Sequence, residues 1–145
     1  MTQEERQLLF KDLSARLHHG VKVSFQGQIC TIDTVSCDAT LLLKGKDGYV
    51  PNIEEGLFID IDRIKPYLRP MSSMTDEEKK EYASFIGGQK PFDSDFSAYP
   101  KEYGFVYEWD VANYVNWLNS HHFDYRGLIE KGLAIEVTEV NNPYK

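Results

Sequence analysis

The densest group of possible metal ligands in the chain is the run His121-His122-Phe123-Asp124. Two imidazoles and one carboxylate are ligands that zinc and other divalent metals accept, so a metal-dependent hydrolase would be built from His121, His122 and Asp124. Adjacent residues on a helix project about 100° apart, and the i, i+4 spacing of an HExxH motif is absent. The structural alternative, which we favour, has Asp124 capping a helix, one histidine ending the preceding helix and Phe123 in the core.

The other two histidines and both cysteines offer a second route to chemistry. His18-His19 ends the first predicted helix, while Cys30 and Cys37 fall at strand and turn positions. Two cysteines supply neither a disulfide framework nor a full set of zinc ligands, and a Cys–His nucleophile requires the side chains to meet in space. We therefore expect free thiols, no catalytic set and no cofactor.

A basic–aromatic stretch is formed by Arg63, Lys65, Tyr67 and Arg69. Arginine and tyrosine can bind phosphate and stack on bases, so this stretch is the candidate for a nucleic-acid-binding surface. The alternative is a solvated extended segment in which Tyr67 and Leu68 pack on a small β-barrel that is predicted for residues 20–70 and described below.

The charge of the chain weighs against nucleic acid as the partner. The formal net charge is −7, and residues 71–145 carry thirteen acidic against seven basic residues, whereas residues 1–70 carry ten against nine. An acidic surface repels phosphate backbones. A protein is therefore the expected partner, and the oligomeric state is left open.

Residues 87–107 combine the Gly, Pro, Asp and Ser content of a loop with a high aromatic content. A disordered linker contains few aromatic residues, so this segment must contact something. Burial against the sheet is the alternative we favour. Exposed, the segment would bind a partner through Phe92, Phe96, Tyr99 and Tyr103.

The elements that would position these residues begin with a helix over 3–18, capped by Thr2 with Glu5 and ended by Gly20. Alternating apolar residues and tight turns over 20–70 predict short antiparallel strands that form a small SH3-like barrel or a curved sheet. A helical turn over 60–64 and an extended segment over 65–70 follow.

The second half of the chain has mainly helical patterns. Thr75 begins one helix with a capping box, and Asp110 is predicted to cap the next. Asp124 is predicted to cap a short fourth helix that ends at Gly132, and the polar tail 141–145 is expected to fray. The 145 residues thus predict one α+β domain, with helix and sheet over 1–70 and a mainly helical part over 71–145.

Several strings in the chain resemble a group of uncharacterised proteins from Bacteroides-type gut bacteria and their mobile elements. They are Leu8-Leu9-Phe10-Lys11-Asp12-Leu13, the run from Ile64 to Thr75, Trp117-Leu118-Asn119, and the run from His121 to Ile129. The aromatic segment 87–107 departs from this group. The resemblance implies a folded module and no particular activity.

The function that the residues favour is a non-enzymatic interaction or accessory module. A nucleic-acid-binding small-barrel protein and a metal-dependent hydrolase are the alternatives. No apolar run approaches the roughly 20 residues of a membrane-spanning helix. The polar, acidic start of the chain is unlike a secretory signal, so we expect a cytoplasmic protein without membrane contact.

Overall fold

The computed structural model describes residues 1–51, 57–84 and 108–145. The predictions for the aromatic segment, which concern Phe92, Phe96, Tyr99 and Tyr103, lie outside the described residues. No helix in the described part of the chain is both long and apolar enough to cross a membrane.

The N-terminal helix α1 spans Gln3–Arg16 and is followed by a 3-10 turn over Leu17–His19. Thr2 caps the helix, because its Oγ1 accepts a hydrogen bond from the Glu5 N–H at 3.0 Å. Gly20 ends the turn in the left-handed conformation, with φ +71°. This confirms the predicted helix, the cap by Thr2 and the end at Gly20.

Eight strands form one sheet in the described residues. They are β1 (Lys22–Phe25), β2 (Gln28–Val35), β3 (Thr40–Gly45), β4 (Gly48–Val50), β5 (Ile59–Asp60), β6 (Lys65–Pro70), β7 (Phe123–Asp124) and β8 (Ile135–Glu136). Their order is β4-β3-β2-β1-β6-β7, while β5 also pairs with β3 and β8 with β6. Strands β1 to β6 pair antiparallel, whereas β7 and β8 each pair with β6 in parallel.

The combination of helices with a mostly antiparallel sheet confirms the α+β class. Between its end strands β4 and β7 the sheet is open in the described residues, which agrees with the curved-sheet alternative. Closure into an SH3-like barrel is not seen there. The single helical turn is present as a 3-10 turn over Ile61–Arg63, and the predicted extended segment is β6.

Two clusters of buried side chains hold the elements together. The first lies between α1 and the sheet and includes Leu9, Leu13, Val23 and Leu43. The second is largely aromatic and lies between helices α2 (Asp76–Ser84) and α3 (Glu108–Ser120) and strand β7. Its members are Met74, Tyr82, Tyr114, Trp117, Leu118 and Phe123.

Stacking organises the aromatic cluster. Trp117 is stacked with two other rings of the cluster, with centroids 5.3 Å from Tyr82 and 5.8 Å from Phe123. Tyr114 meets Tyr82 edge-on at 5.8 Å. Such pairs add stability beyond their buried area. The cluster therefore ties both helices to the short strand that carries Phe123.

Two predicted features of the second half are wrong in detail. Helix α3 has already begun at Glu108, so Asp110 lies inside the helix and is not its cap. The predicted fourth helix is an irregular turn, because Gly127 takes the left-handed conformation with φ +74° only three residues after Asp124. Gly132 has the left-handed conformation that was predicted for it, with φ +74°.

The capping box at the start of α2 is reciprocal. The Glu78 N–H donates to Thr75 Oγ1 at 3.1 Å, and the Thr75 N–H donates to Glu78 Oε1 at 3.0 Å. Both interactions satisfy backbone groups that a helix end leaves unpaired.

We predict that Thr75→Ala lowers the free energy of unfolding by about 1 kcal/mol, because the cap hydroxyl is lost. Thr75→Ser keeps the hydroxyl and should retain most of the stability. Urea unfolding of both variants measures the difference. Equal losses in the two variants would show that the hydroxyl does not contribute.

Candidate functional site

An open cleft of ≈ 770 Å³ lies between the start of α2, the end of α3 and residues 137–145. Its lining is mostly polar or ionisable and consists of Arg69, Ser73, Thr75, Glu77, Glu78, Ser120, His121, His122, Val137, Thr138, Glu139, Asn142, Tyr144 and Lys145. Clefts of roughly 300–1,000 Å³ are typical of ligand sites. This cleft contains two of the three predicted metal candidates and one residue of the basic–aromatic stretch.

Arg69 is held in the wall of the cleft by contacts of both its side chain and its backbone. Its guanidinium donates to both carboxylate oxygens of Glu78, at 2.8 and 2.7 Å, and lies 4.2 Å from the centroid of the Phe123 ring. Its backbone N–H donates to the His122 carbonyl at 2.7 Å. The hydrogen bonds from Arg69 lower the pKa of Glu78 to about 2, so this pair stays ionised at neutral pH.

His121 is fixed against the last turn of α3. Its ring stacks on Trp117 with centroids 4.1 Å apart, and its Nδ1 lies 3.0 Å from the Trp117 carbonyl oxygen. Ser120 Oγ lies 3.0 Å from the same nitrogen and itself bonds to the Trp117 carbonyl at 2.8 Å. A carbonyl only accepts, so a hydrogen bond from Nδ1 to it makes Nδ1 the donor, and the hydroxyl proton of Ser120 is directed at the same carbonyl and not at His121.

His122 combines a strained backbone with a stacked and largely buried ring. Its φ is +64°, and its ring lies parallel to that of Tyr144, with centroids 3.6 Å apart. Burial, together with the charges of Arg16, His121, Arg69 and His19, lowers the pKa of His122 to about 4. His122 is therefore neutral at pH 7.

Tyr144 anchors the C-terminal segment that was expected to fray. Its hydroxyl donates to the Tyr67 carbonyl at 2.7 Å and accepts from the Lys22 N–H at 3.1 Å. Burial raises the pKa of Tyr144 to about 12, so the hydroxyl keeps its proton. Asn141 also accepts from the Thr138 N–H at 2.6 Å. The segment thus forms an ordered wall of the cleft.

A buried ion pair within α1 connects this helix to strand β7. Arg16 and Asp12 are completely buried, and Arg16 Nε donates to Asp12 Oδ2 at 2.7 Å. Arg16 Nη2 donates to the Phe123 carbonyl at 2.6 Å, and Arg126 Nη1 donates to Asp12 Oδ1 at 2.9 Å. Sequence reasoning missed this group, because an Asp–Arg pair four residues apart is also typical of an exposed helix face.

Asp124 has the capping role that was favoured for it, although the element it caps is a turn. Its two carboxylate oxygens accept from the Leu128 and Ile129 N–H groups, each at 2.9 Å. Within residues 1–51, 57–84 and 108–145, no group of three or more His, Cys, Asp or Glu side chains has an arrangement that could hold a metal ion. His121, His122 and Asp124 are therefore not brought together as a ligand set.

The basic–aromatic stretch is spread over different environments. Arg63 lies over the Phe25 ring at 5.2 Å, Lys65 is exposed and Tyr67 is half-buried. Arg69 is paired with Glu78. The charge of Arg69 is therefore compensated, whereas Arg63 and Lys65 remain exposed.

The cysteines lie apart from the cleft. Cys30 is buried in the core, and burial raises the pKa of its thiol, while Cys37 is exposed. His18 is exposed and packs on His19, with ring centroids 3.9 Å apart. His19 and His121 are also close enough to His122 for their charges to affect its pKa.

Comparison with protein-family models, with curated proteins and with solved structures finds no match to this chain. The resemblance to proteins of Bacteroides-type bacteria therefore stays an expectation. What the cleft does has to be inferred from its own geometry.

We predict that the protein loses stability as the pH falls from about 6.5 to about 4, because the unfolded chain then takes up a proton that His122 resists in the folded state. The expected loss of unfolding free energy from this residue is about 2–3 kcal/mol. Above pH 6.5 the contribution of His122 to stability is fully retained. Protonation of Glu78 extends the loss from pH 4.5 towards pH 2, since its pKa is lowered on folding.

Urea unfolding between pH 7 and pH 4.5 measures this dependence. His122→Asn tolerates the left-handed backbone and should show a shallower pH dependence than the natural protein. His18→Asn changes an exposed histidine and serves as the control. Parallel curves for the natural protein and His122→Asn would contradict the role of His122.

We predict that Asp124→Asn costs about 2 kcal/mol of stability, because the amide can accept from only one of the two backbone N–H groups. Asp47→Asn changes an exposed carboxylate and should be neutral. If Asp124 were a metal ligand instead, EDTA would destabilise the natural protein to the level of the variant. We expect EDTA to leave its urea unfolding midpoint unchanged.

Proposed function

We propose that the chain is a non-enzymatic interaction module and that the cleft between α2, α3 and residues 137–145 binds a segment of a partner protein. The observation that supports this most directly is the engagement of the reactive side chains in the cleft. Arg69 is held by Glu78, His121 by Trp117 and His122 by Tyr144. These contacts give each of the three side chains a structural role, while the cleft between the described residues stays open.

The charges around the cleft favour a partner segment that is basic. Glu77 and Glu139 are exposed at its edge and outnumber the one exposed lysine of the lining, Lys145, while the charge of Arg69 is compensated by Glu78. The histidine inside it, His122, is neutral at pH 7. The net charge of the whole chain, −7, acts in the same direction because it attracts a basic partner over longer distances.

The nucleic-acid alternative has less support from these contacts. It requires Arg63, Lys65, Tyr67 and Arg69 to act together, and the guanidinium of Arg69 is already engaged by a carboxylate. The metal-dependent hydrolase also has less support, since both oxygens of Asp124 accept from backbone N–H groups. Neither alternative gains a favourable observation from the geometry.

We predict that basic peptides bind the protein more tightly than acidic peptides of equal length, with an affinity that falls as salt is added. A library of synthetic peptides that vary in net charge, titrated by fluorescence anisotropy, measures this. Combining Glu77→Gln with Glu139→Gln should weaken the best peptide about fivefold, the loss expected for two exposed ion pairs. Glu4→Gln combined with Glu130→Gln changes two exposed carboxylates outside the cleft and should have little effect.

A steric variant tests the location independently of the carboxylates. Ser120→Arg places a long side chain in the cleft, and Asn113→Arg makes the same kind of change at another exposed position of α3. We expect only Ser120→Arg to abolish peptide binding. Equal effects of the two variants, or binding of acidic peptides alone, would contradict the proposal.

A further inference from the structure

The buried guanidinium of Arg16 is only partly satisfied by its neighbours. Its Nε and Nη2 donate to Asp12 and to the Phe123 carbonyl. Its third nitrogen, Nη1, is buried without a hydrogen-bond partner in the part of the chain that the structure describes. A buried charged donor without an acceptor destabilises the folded state. An acceptor supplied by a ligand would remove this cost at Nη1.

The charges around Arg16 also favour an anionic ligand, because positive charge exceeds negative charge there. Asp12 is completely buried and is shared by two guanidinium groups, those of Arg16 and Arg126. One negative charge therefore faces two positive charges. Arg126 keeps 26% of its side-chain surface exposed, so part of its charge is solvated, whereas Arg16 has no such contact with water. One additional negative charge beside Arg16 would complete the balance.

Two neutral histidines lie around the same guanidinium, and each has a buried nitrogen without a partner among the described residues. These atoms are His19 Nε2 and His122 Nδ1. The three side chains lie near one another, since His19 follows Arg16 by three residues at the end of the same helix, and Arg16 Nη2 bonds to the Phe123 carbonyl, one residue from His122. A neutral imidazole can carry its proton on either nitrogen, so both rings can offer an N–H donor.

We propose that Arg16 Nη1, His19 Nε2 and His122 Nδ1 form an internal binding site for one small oxygen-bearing anion, either a phosphate-like ion or a carboxylate. The anion would accept from all three donors and supply the missing negative charge. This site shares His122 with the wall of the cleft, but Arg16 and His19 lie outside the cleft lining, and none of the carboxylates at the cleft edge takes part in it. A water molecule could accept from these donors, but it would leave the positive charge uncompensated.

Isothermal titration calorimetry of the full chain tests the proposal. Inorganic phosphate and acetate are titrated separately at constant ionic strength maintained with sodium chloride. We expect saturable binding of one phosphate or one acetate per chain. Tighter binding of phosphate would identify a tetrahedral oxyanion as the ligand class, and tighter binding of acetate would identify a carboxylate.

The variants compare neighbouring histidines. His19→Leu and His122→Gly should each weaken anion binding about tenfold, since each removes a side-chain donor to a charged ligand, and glycine tolerates the left-handed backbone at position 122. His18→Leu makes the same change as His19→Leu at the adjacent exposed ring and should leave anion affinity within about twofold, because an exposed histidine adds little to a buried site. Circular dichroism without added anion checks that each variant is folded.

Three results would overturn the proposal. One is the absence of saturable phosphate or acetate binding to the folded natural protein. Another is equal weakening by His18→Leu and His19→Leu, which would indicate only adventitious surface binding. The third is binding of chloride as tight as that of both oxygen-bearing anions.

Discussion

The arrangement of the second half of this protein depends on one buried ion pair, that between Asp12 and Arg16. Both side chains are removed from water, so their hydrogen bonds must be made with good geometry or the charges would destabilise the fold. Arg16 also binds the carbonyl of Phe123, which fixes β7 to α1. The two neighbours of Phe123 connect β7 to further elements. The His122 carbonyl accepts from the Arg69 N–H on β6, and Asp124 caps the turn that follows β7.

This link also determines where the cleft lies. Phe123 belongs to the aromatic cluster between α2 and α3, and its ring lies against the guanidinium of Arg69. Because Arg69 in turn holds Glu78 on α2, the short strand β7, the long strand β6 and the start of α2 are fixed relative to one another. Tyr144 then places the C-terminal segment across from them by bonding to β1 and β6. The cleft is the space left between these supports.

Local signals were sufficient to predict much of the fold, and long-range contacts explain what was missed. The capping residues Thr2 and Thr75 and the alternation in β1 to β3 depend on neighbours in the chain, so they could be read directly. The pairing of β7 and β8 with β6 depends on contacts more than fifty residues apart, which two-residue strands do not encode locally. The buried roles of Asp12 and Arg16 were missed because their spacing is also that of an exposed ion pair on a helix. The role of Tyr144 was missed because it lies in a polar C-terminal tail. The role of Asp124 as a cap was predicted, whereas the left-handed Gly127 that prevents a helix was not.

The central claim is that the ionisable residues near the cleft support the structure and that the cleft is the surface that binds a partner segment. Mapping the amide chemical shifts of the protein by NMR as it binds a basic peptide tests this most directly. The account predicts that the largest changes occur at cleft residues such as Ser73, Glu77, Ser120 and Thr138. Changes concentrated on the outer face of the sheet, at Thr31 and Lys44, with none in the cleft, would contradict it.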